Sequence, residues 1–470
     1  MSQRPASFKT ALPGIIICCF AAFGGFLFGF DTGTISGNIA MDSWLRRFGT
    51  FDSTLTGFQY YIPSSTKSVV VSIMAVGEFG GALLSSPVSD TVGRRYGIQV
   101  GALVLAIGVA MQTGAEGLGV FIAGRVIGGF GIGFISGIVP LYQSECAPKW
   151  IRGTVASGYQ WFITIGILIA NIVNNATQGF SDDSDFRIPI ESPRYLVKKG
   201  DNAGARQVLA RLNAADADSA ELDVELKEIT DSFEAELAIG ESIYADCFKR
   251  NDRKVFLRTM TGIAIQGFQQ LTGVNFIFYY GTTFFKQAGF SDSFVISMIT
   301  SSVNMITTIP SFYLIEKYIV AIVGVTVGTT NQSTQIVLVV FVCVYIAAFA
   351  STWGPIAWVV LNEIHPLNIR AKAVSMGTAS NWFWNFLISF VTPYLVDSGA
   401  GDADVQAKVF FIWGTTCFFC AIFVYFYAYE TKGLSLEDID DLYANHTAIE
   451  SIKADIKRTS DAEAAVVAKQ

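Results

Sequence analysis

The feature that most restricts the fold is a series of long apolar runs almost free of charge. They are Gly14–Ser36, Thr66–Pro87, Ile98–Gln112, Val120–Tyr142, Val155–Val173, Gly262–Phe285, Phe294–Ile315, Ile336–Leu361, Val374–Leu395 and Val409–Tyr427. A helix needs about 20 such residues to cross the roughly 30 Å hydrocarbon core of a bilayer. Only 15% of the 470 residues are charged, and 51% are hydrophobic. A soluble chain would carry about a quarter charged. The expected class is therefore an all-α membrane protein. Tyr318–Val327 adds a shorter apolar piece; at 1.5 Å per residue its roughly ten residues cover about half a bilayer. Met1–Pro13 is polar and the run after Gly14 is long enough to stay in the membrane, so no cleavable leader is expected.

Composition excludes several classes. The net charge of −7 arises in loops and tails, and no basic run points to nucleic acid. The seven cysteines are scattered; Cys417-x-x-Cys420 lies inside an apolar run without partner ligands and reads as two small apolar residues. His365 and His446 are too few and too far apart for a metal site. Neither a nucleotide loop nor a nucleophile–base set is present, so neither enzyme nor cofactor is expected.

Basic residues mark the cytosolic side at Arg94/Arg95, Lys149/Arg152, the Lys198–Arg258 stretch and Arg370/Lys372. A repeat then divides the chain. Glu145-x-x-Pro148-x-x-x-Arg152-Gly153 returns as Glu363-x-x-Pro366-x-x-x-Arg370-Ala371, each after a long apolar run. Two parallel membrane halves are the pattern of transporters whose substrate site lies between the halves near the midplane. The boundaries that follow are a cytosolic tail over 1–13, a first membrane half over 14–190, a cytosolic helical linker over 191–257, a second half over 258–429 and a cytosolic tail over 430–470. Within the linker, Ala220–Leu237 has a helical pattern.

At these residues the chain resembles the sugar-porter family of the major facilitator superfamily, in particular fungal high-affinity hexose transporters. The matching words are Gly29-Phe-Asp-Thr-Gly-Thr-Ile-Ser-Gly37, Asp90-x-x-Gly-Arg-Arg95, Gly124-Arg-Val-Ile-Gly128, Pro140-x-Tyr-x-x-Glu145 and Glu191-Ser-Pro-Arg194. The second half adds Gln269-Gln-Leu-Thr-Gly-Val-Asn275, Trp353-Gly-Pro-Ile-Ala-Trp358, Asn381-Trp382 with Asn385, and Glu430-Thr-Lys-Gly433. The resemblance implies a two-half helical bundle with 12 spans, of which about ten full spans and a fragment remain here.

Two pieces of that plan are missing. Glu145 to Glu191 is 46 residues, whereas Glu363 to Glu430 is 67, a shortfall of 21 or about one span. The join falls at Ile190–Glu191, where the family's sixth span would stand. Glu316-Lys317 likewise runs into Tyr318 without the second Gly-Arg-Arg word. The sequon Asn175-Ala-Thr177 and the family topology place residue 177 outside, yet the basic 198–258 stretch belongs inside, and nothing in Gln178–Ile190 is apolar enough to cross. Loss of two coding pieces by mis-splicing accounts for both gaps; a shortened paralogue is the alternative.

A sugar is uncharged and presents many hydroxyls, so its site needs amides and hydroxyls that donate and accept, with aromatic faces for the ring. Gln269, Gln270 and Asn275 supply amides on one apolar run, with Gln266 one turn earlier. Such amides also bind helices together in membranes. The resemblance implies that Gln160, Gln269, Gln270, Asn275, Asn304, Trp358 and Asn385 bind the sugar, that Asn381 and Trp382 flank it, and that Tyr279 and Tyr280 form the outer gate. Asp31 is a carboxylate within an apolar span, where charge is costly and usually functional. Its family partner is Arg125, and the pair reads either as proton coupling or as a static ion pair. Asp90, Arg94, Arg95, Glu145, Arg152, Glu191, Arg194, Glu363, Arg370 and Glu430 match the family's cytosolic charge network. The expected function is monosaccharide transport by alternating access, most simply as proton symport in the plasma membrane by a functional monomer among lipids. Facilitated diffusion, a transporter-like sensor and an inactive product are the alternatives.

Overall fold

The computed structural model describes residues 8–53, 59–147, 151–177, 243–251, 253–287, 290, 292–309, 332–366, 368–397, 402–405, 408–431, 434 and 436–451. The join at Ile190–Glu191, the pattern Ala220–Leu237, the fragment Tyr318–Val327, Glu191 and Arg194 lie outside the described residues. Among those described, seven helices are long and apolar enough to cross a membrane.

The first half comprises α1 (Phe8–Asn38), α3 (Ser64–Val92), α4 (Arg94–Thr113), α5 (Leu118–Cys146) and α6 (Arg152–Thr177). The short helix α2 (Asp42–Phe48) and a two-stranded ribbon, β1 (Thr50–Phe51) with β2 (Tyr60–Tyr61), join α1 to α3. Neither was expected from hydropathy. α1 packs on α6, while α3 and α4 pack on α5. Lipid is as apolar as leucine, so these helices associate by close fit rather than by expulsion of water. The fit is visible at Gly29 and Gly133. A Cβ there would lie 2.0 Å from the Ile163 carbonyl oxygen and 2.1 Å from the Glu78 carbonyl oxygen, respectively.

The second half contains α7 (Val255–Leu271), α8 (Val274–Gln287), α9 (Ser293–Thr308), α10 (Gln332–Ser351), α11 (Trp353–Glu363), α12 (Arg370–Val396) and α13 (Val409–Tyr427). Here the sequence expectation needs correction. Gly262–Phe285 and Ile336–Leu361 read as uninterrupted spans, but each is a broken helix. Gly273 adopts φ +82, and a Cβ on it would meet the Trp413 ring at 2.3 Å. Carbonyls freed inside a membrane must find new donors. The Thr272 carbonyl accepts from the Tyr345 hydroxyl and the Leu271 carbonyl from Thr416 Oγ1. At the second break, Trp353 and Gly354 present carbonyls that accept from Gln269 Nε2 at 3.0 and 2.8 Å.

The halves meet along two lateral seams, α12 against α3 and α9 against α6; α8 also touches α1, and α11 touches α5 and α6. The helix α14 (Leu436–Asn445) docks near the start of α7, where Asp440 pairs with Arg258 at 2.6 Å.

Candidate functional site

The two broken helices and α12 bring most of the expected sugar ligands together. Asn381 Nδ2 donates to the side-chain oxygens of Gln266 and Gln269, each at 2.6 Å. Gln270 Nε2 donates to Asn381 Oδ1 at 2.8 Å, and Asn275 Nδ2 donates to Gln270 Oε1 at 2.6 Å. The network closes on backbone as well as on itself, through the Gln269 bonds to Trp353 and Gly354. These amides therefore join helices and also form a polar wall. Gln160 reaches the same place from α6, since a Cβ on Gly354 would sit 3.5 Å from Gln160 Cγ.

Aromatic rings complete the wall. Trp358 is buried and meets Tyr159 edge-on at 5.5 Å. Trp382, fully buried on α12, donates from Nε1 to Ser136 Oγ of α5 at 3.0 Å and packs on Phe28 of α1. Neither tryptophan is a membrane-interface anchor. Asn385 Nδ2 donates to the Tyr279 hydroxyl at 3.2 Å and Asn385 Oδ1 accepts from Ser389. Tyr280 donates to the Ser389 carbonyl at 2.6 Å. Both tyrosines expected at the outer gate are buried and tied to α12. Asn304 is buried on α9 with neither amide atom partnered among the described residues, and no described bond joins it to the Asn381 network.

The expected charge pair is formed. Arg125 Nη1 of α5 donates to Asp31 Oδ2 of α1 at 3.4 Å, with the guanidinium almost wholly enclosed. Its other bonds are also long, 3.5 Å to Gln112 Oε1 and 3.5 Å to the Val71 carbonyl. A second carboxylate shares this region: Glu78 of α3 interacts electrostatically with both Asp31 and Arg125.

Residues 17–190 and 191–443 match the family described as "Sugar (and other) transporter". The chain belongs to this family. It is a membrane sugar transporter of the major facilitator superfamily, not an enzyme. The match breaks at 190/191, the join where spacing places the missing span. A major facilitator-type transporter of Aspergillus rugulosus is 44% identical over 94% of this chain and 90% of its own. A probable glucose transporter of Neurospora crassa is 40% identical over 94% and 81%. A high glucose sensor of Saccharomyces cerevisiae is 38% identical over 94% of this chain and 62% of its own length. The first of these alignments spans 491 positions, more than the 470 residues of the porter, so that relative carries residues the porter lacks. Among solved structures, the E. coli proton:xylose symporter bound to 6-bromo-6-deoxy-D-glucose superposes with TM-score 0.74 at 25% identity, covering 93% of the porter and 99% of the symporter.

Where the expected charge network clusters, Arg94 Nη1 pairs with Asp90 and Nη2 with Glu145, both at 3.1 Å. Lys372 reaches Asp90 across the halves at 3.7 Å. Arg95 is exposed beside the Tyr96 ring. Glu363 accepts from Thr431 Oγ1 at 2.8 Å and lies in the field of Arg152, Arg370 and Glu430. Arg370 Nε donates to the Asn362 carbonyl at 2.8 Å. Burial, reinforced by the charges of Arg258 and Arg370, pushes the His365 imidazole down to about 3.

Sequence reasoning missed two features of the porter. Glu78 lies within Thr66–Pro87 and is open to the same argument that selected Asp31, yet no family word contains it. Lys67 Nζ and Asp397 Oδ2 join the halves at 2.5 Å at the opposite end from the cytosolic network, and Ser64 donates to Asp402 at 2.7 Å beside them. Only the chain fold brings these positions together, so no local signal marks them.

Proposed function

We propose that this porter carries a hexose, glucose or a close relative, across the plasma membrane by alternating access, and that a proton moves with it. The observation that carries this reading is the amide network Gln266–Gln269–Asn381–Gln270–Asn275, set on the helix broken at Gly273 and on α12, bonded to the second break at Trp353 and Gly354 and walled by Trp358. Broken helices at the midplane are where such transporters place substrate sites. Amides suit hydroxyls because they offer donor and acceptor at once. In this reading Gln160, Gln269, Gln270, Asn275, Asn304, Trp358 and Asn385 contact sugar. Asn381 and Trp382 support them, Tyr279 and Tyr280 close the outer side, and Asp31 with Arg125 responds to the proton. The cytosolic charges, with Glu191 and Arg194, hold the halves in one access state. Pairs with that duty tune a two-state equilibrium rather than add bulk stability. One chain contains every group required, which makes a monomer sufficient. The probable glucose transporter of Neurospora crassa and the proton:xylose symporter lend the reading its substrate class and its ion.

The test is accumulation of free glucose in cells that cannot phosphorylate it, with the porter carrying about 20 apolar residues between Ile190 and Glu191 to restore a crossing. The internal concentration is expected to exceed the external one at about pH 5 and to collapse with a protonophore. Equality of the two concentrations at every pH means facilitation, with no proton coupled to the sugar. A second reading, a sensor, is favoured by the 38% identity to the yeast glucose sensor; it requires saturable glucose binding without net flux in the same cells.

A further inference from the structure

Glu78 has no part in the reading above, yet it lies at its centre. It is 1% exposed, inside an apolar run of α3, and its Oε2 has no hydrogen-bond partner among the described residues. The backbones of α3 and α5 touch at Glu78 and Gly133, which fixes the acid relative to the helix that carries Arg125. Asp31 repels a charge at Glu78, and Arg125 attracts it. The charged groups on the elements packed against α3 are few. α5 presents Arg125 and, at its cytosolic end, Glu145. α4 presents Arg94 and Arg95 at its start, and α12 has Arg370 and Lys372 at one end and Asp397 at the other. On α3 itself Lys67 and Asp90 lie near the two ends. Within the membrane the cluster is thus two carboxyls and one guanidinium.

If both acids ionise, the cluster carries a net charge of −1 in a medium where an unpaired buried ion costs several kcal/mol. One proton must reside on it. Arg125 donates to Asp31, which marks Asp31 as the ionised member, whereas Glu78 has a bare oxygen. The stretch of α5 against which Glu78 packs also reaches the sugar wall: Ser136 donates to the Gly133 carbonyl and accepts from Trp382 Nε1. We propose that Glu78 is the proton-carrying acid of the transport cycle, with Asp31 as the fixed counter-ion of Arg125. Release transfers the carboxyl proton to water when access switches and leaves a carboxylate that competes with Asp31 for Arg125. This rests on the proton-coupled reading, but its first test needs no sugar.

The experiment is infrared spectroscopy of the purified 470-residue chain at pH 7, grown with carboxyl-labelled glutamate or aspartate. A protonated-carboxyl band is expected that moves with labelled glutamate, stays with labelled aspartate and is lost in Glu78→Gln. Glu78→Asp should restore a band that now moves with labelled aspartate, which separates loss of the acid from loss of the fold. In exchange assays, the pH dependence between 5 and 8 should flatten in Glu78→Gln and return in Glu78→Asp. A band that moves only with labelled aspartate in the unmutated chain, or that persists in Glu78→Gln, overturns the proposal. If the band behaves as expected and glucose is never moved, Glu78 stands as the protonated acid and the sugar reading fails instead.

Discussion

The two membrane halves solve opposite problems with opposite chemistry. The first half buries ionisable groups, Asp31, Glu78 and Arg125, among helices fitted backbone to backbone at glycine. The second half buries neutral amides, Gln266, Gln269 and Gln270 on the helix broken at Gly273, and Asn381 and Asn385 on the continuous α12 packed against it. Charge in a bilayer costs far more than an amide does, and Asp31, Glu78 and Arg125 sit on helices that meet backbone to backbone at glycine. Amides can exchange partners with a sugar at small net cost, since one protein hydrogen bond contributes only about 0.5–1.5 kcal/mol. Among the buried contacts that link the charged region to the amide wall are Trp382 on Ser136 and Trp358 on Tyr159. Under the proposed function the labour is divided, with the first half expected to set the response to pH and the second to set sugar affinity.

The largest effect should come from breaking the charged half. Arg125→Ala leaves two buried carboxyls without their cation, a loss of about 3–5 kcal/mol for a broken buried pair. Thermal unfolding in detergent should show a fall in Tm well beyond that of any amide variant, together with loss of transport. Asn381→Ala should act on the other half. It strips partners from Gln266, Gln269 and Gln270, at about 1–3 kcal/mol for each buried group left unpaired. Glucose titration should show weakened binding with the pH profile unchanged. A changed profile there would break the comparison.

A smaller effect sharpens it from the end of the second half that carries Glu363 and Arg370. His365 is neutral when folded, held down to about 3, whereas an unfolded imidazole titrates near 6.5. The unfolded state therefore binds the extra proton between those values, and stability falls as pH drops through 6.5. Between pH 7 and pH 5 the loss is about 2 kcal/mol. It should vanish in His365→Leu, read as Tm against pH.

The residues legible in the sequence were those whose meaning is local. An aspartate in an apolar run, paired glutamines one turn from another amide, and the Glu-x-x-Pro-x-x-x-Arg repeats each declare a role by type and spacing. The resemblance extended these to Arg125, Trp358 and Asn381, which the structure places against Asp31, Tyr159 and Gln269. Features that depend on distant partners were not legible. The break at Gly273 is stabilised by hydroxyls of Tyr345 and Thr416 from other helices, so the run Gly262–Phe285 gives no sign of it. Asn304 fits the amide pattern, but no described bond ties it to the others. Glu78 was visible as a residue and invisible as a member of a cluster, because α1, α3 and α5 must pack before it meets Asp31 and Arg125.

The division of labour is tested most directly by one measurement, glucose binding followed through tryptophan fluorescence at pH 5.5 and 7.5 in three proteins. In the unmutated porter, affinity should be higher at pH 5.5 by up to tenfold per pH unit, the limit for one coupled proton. Asp31→Asn should bind with nearly equal affinity at the two pH values, since Arg125 then draws Glu78 into its ionised form. Gln269→Ala should bind about 5- to 150-fold more weakly at both, in the range of one lost buried hydrogen bond, and keep the unmutated ratio. If Gln269→Ala abolishes the pH ratio, or Asp31→Asn preserves it, charge and amide do not act separately and the account of the two halves is wrong.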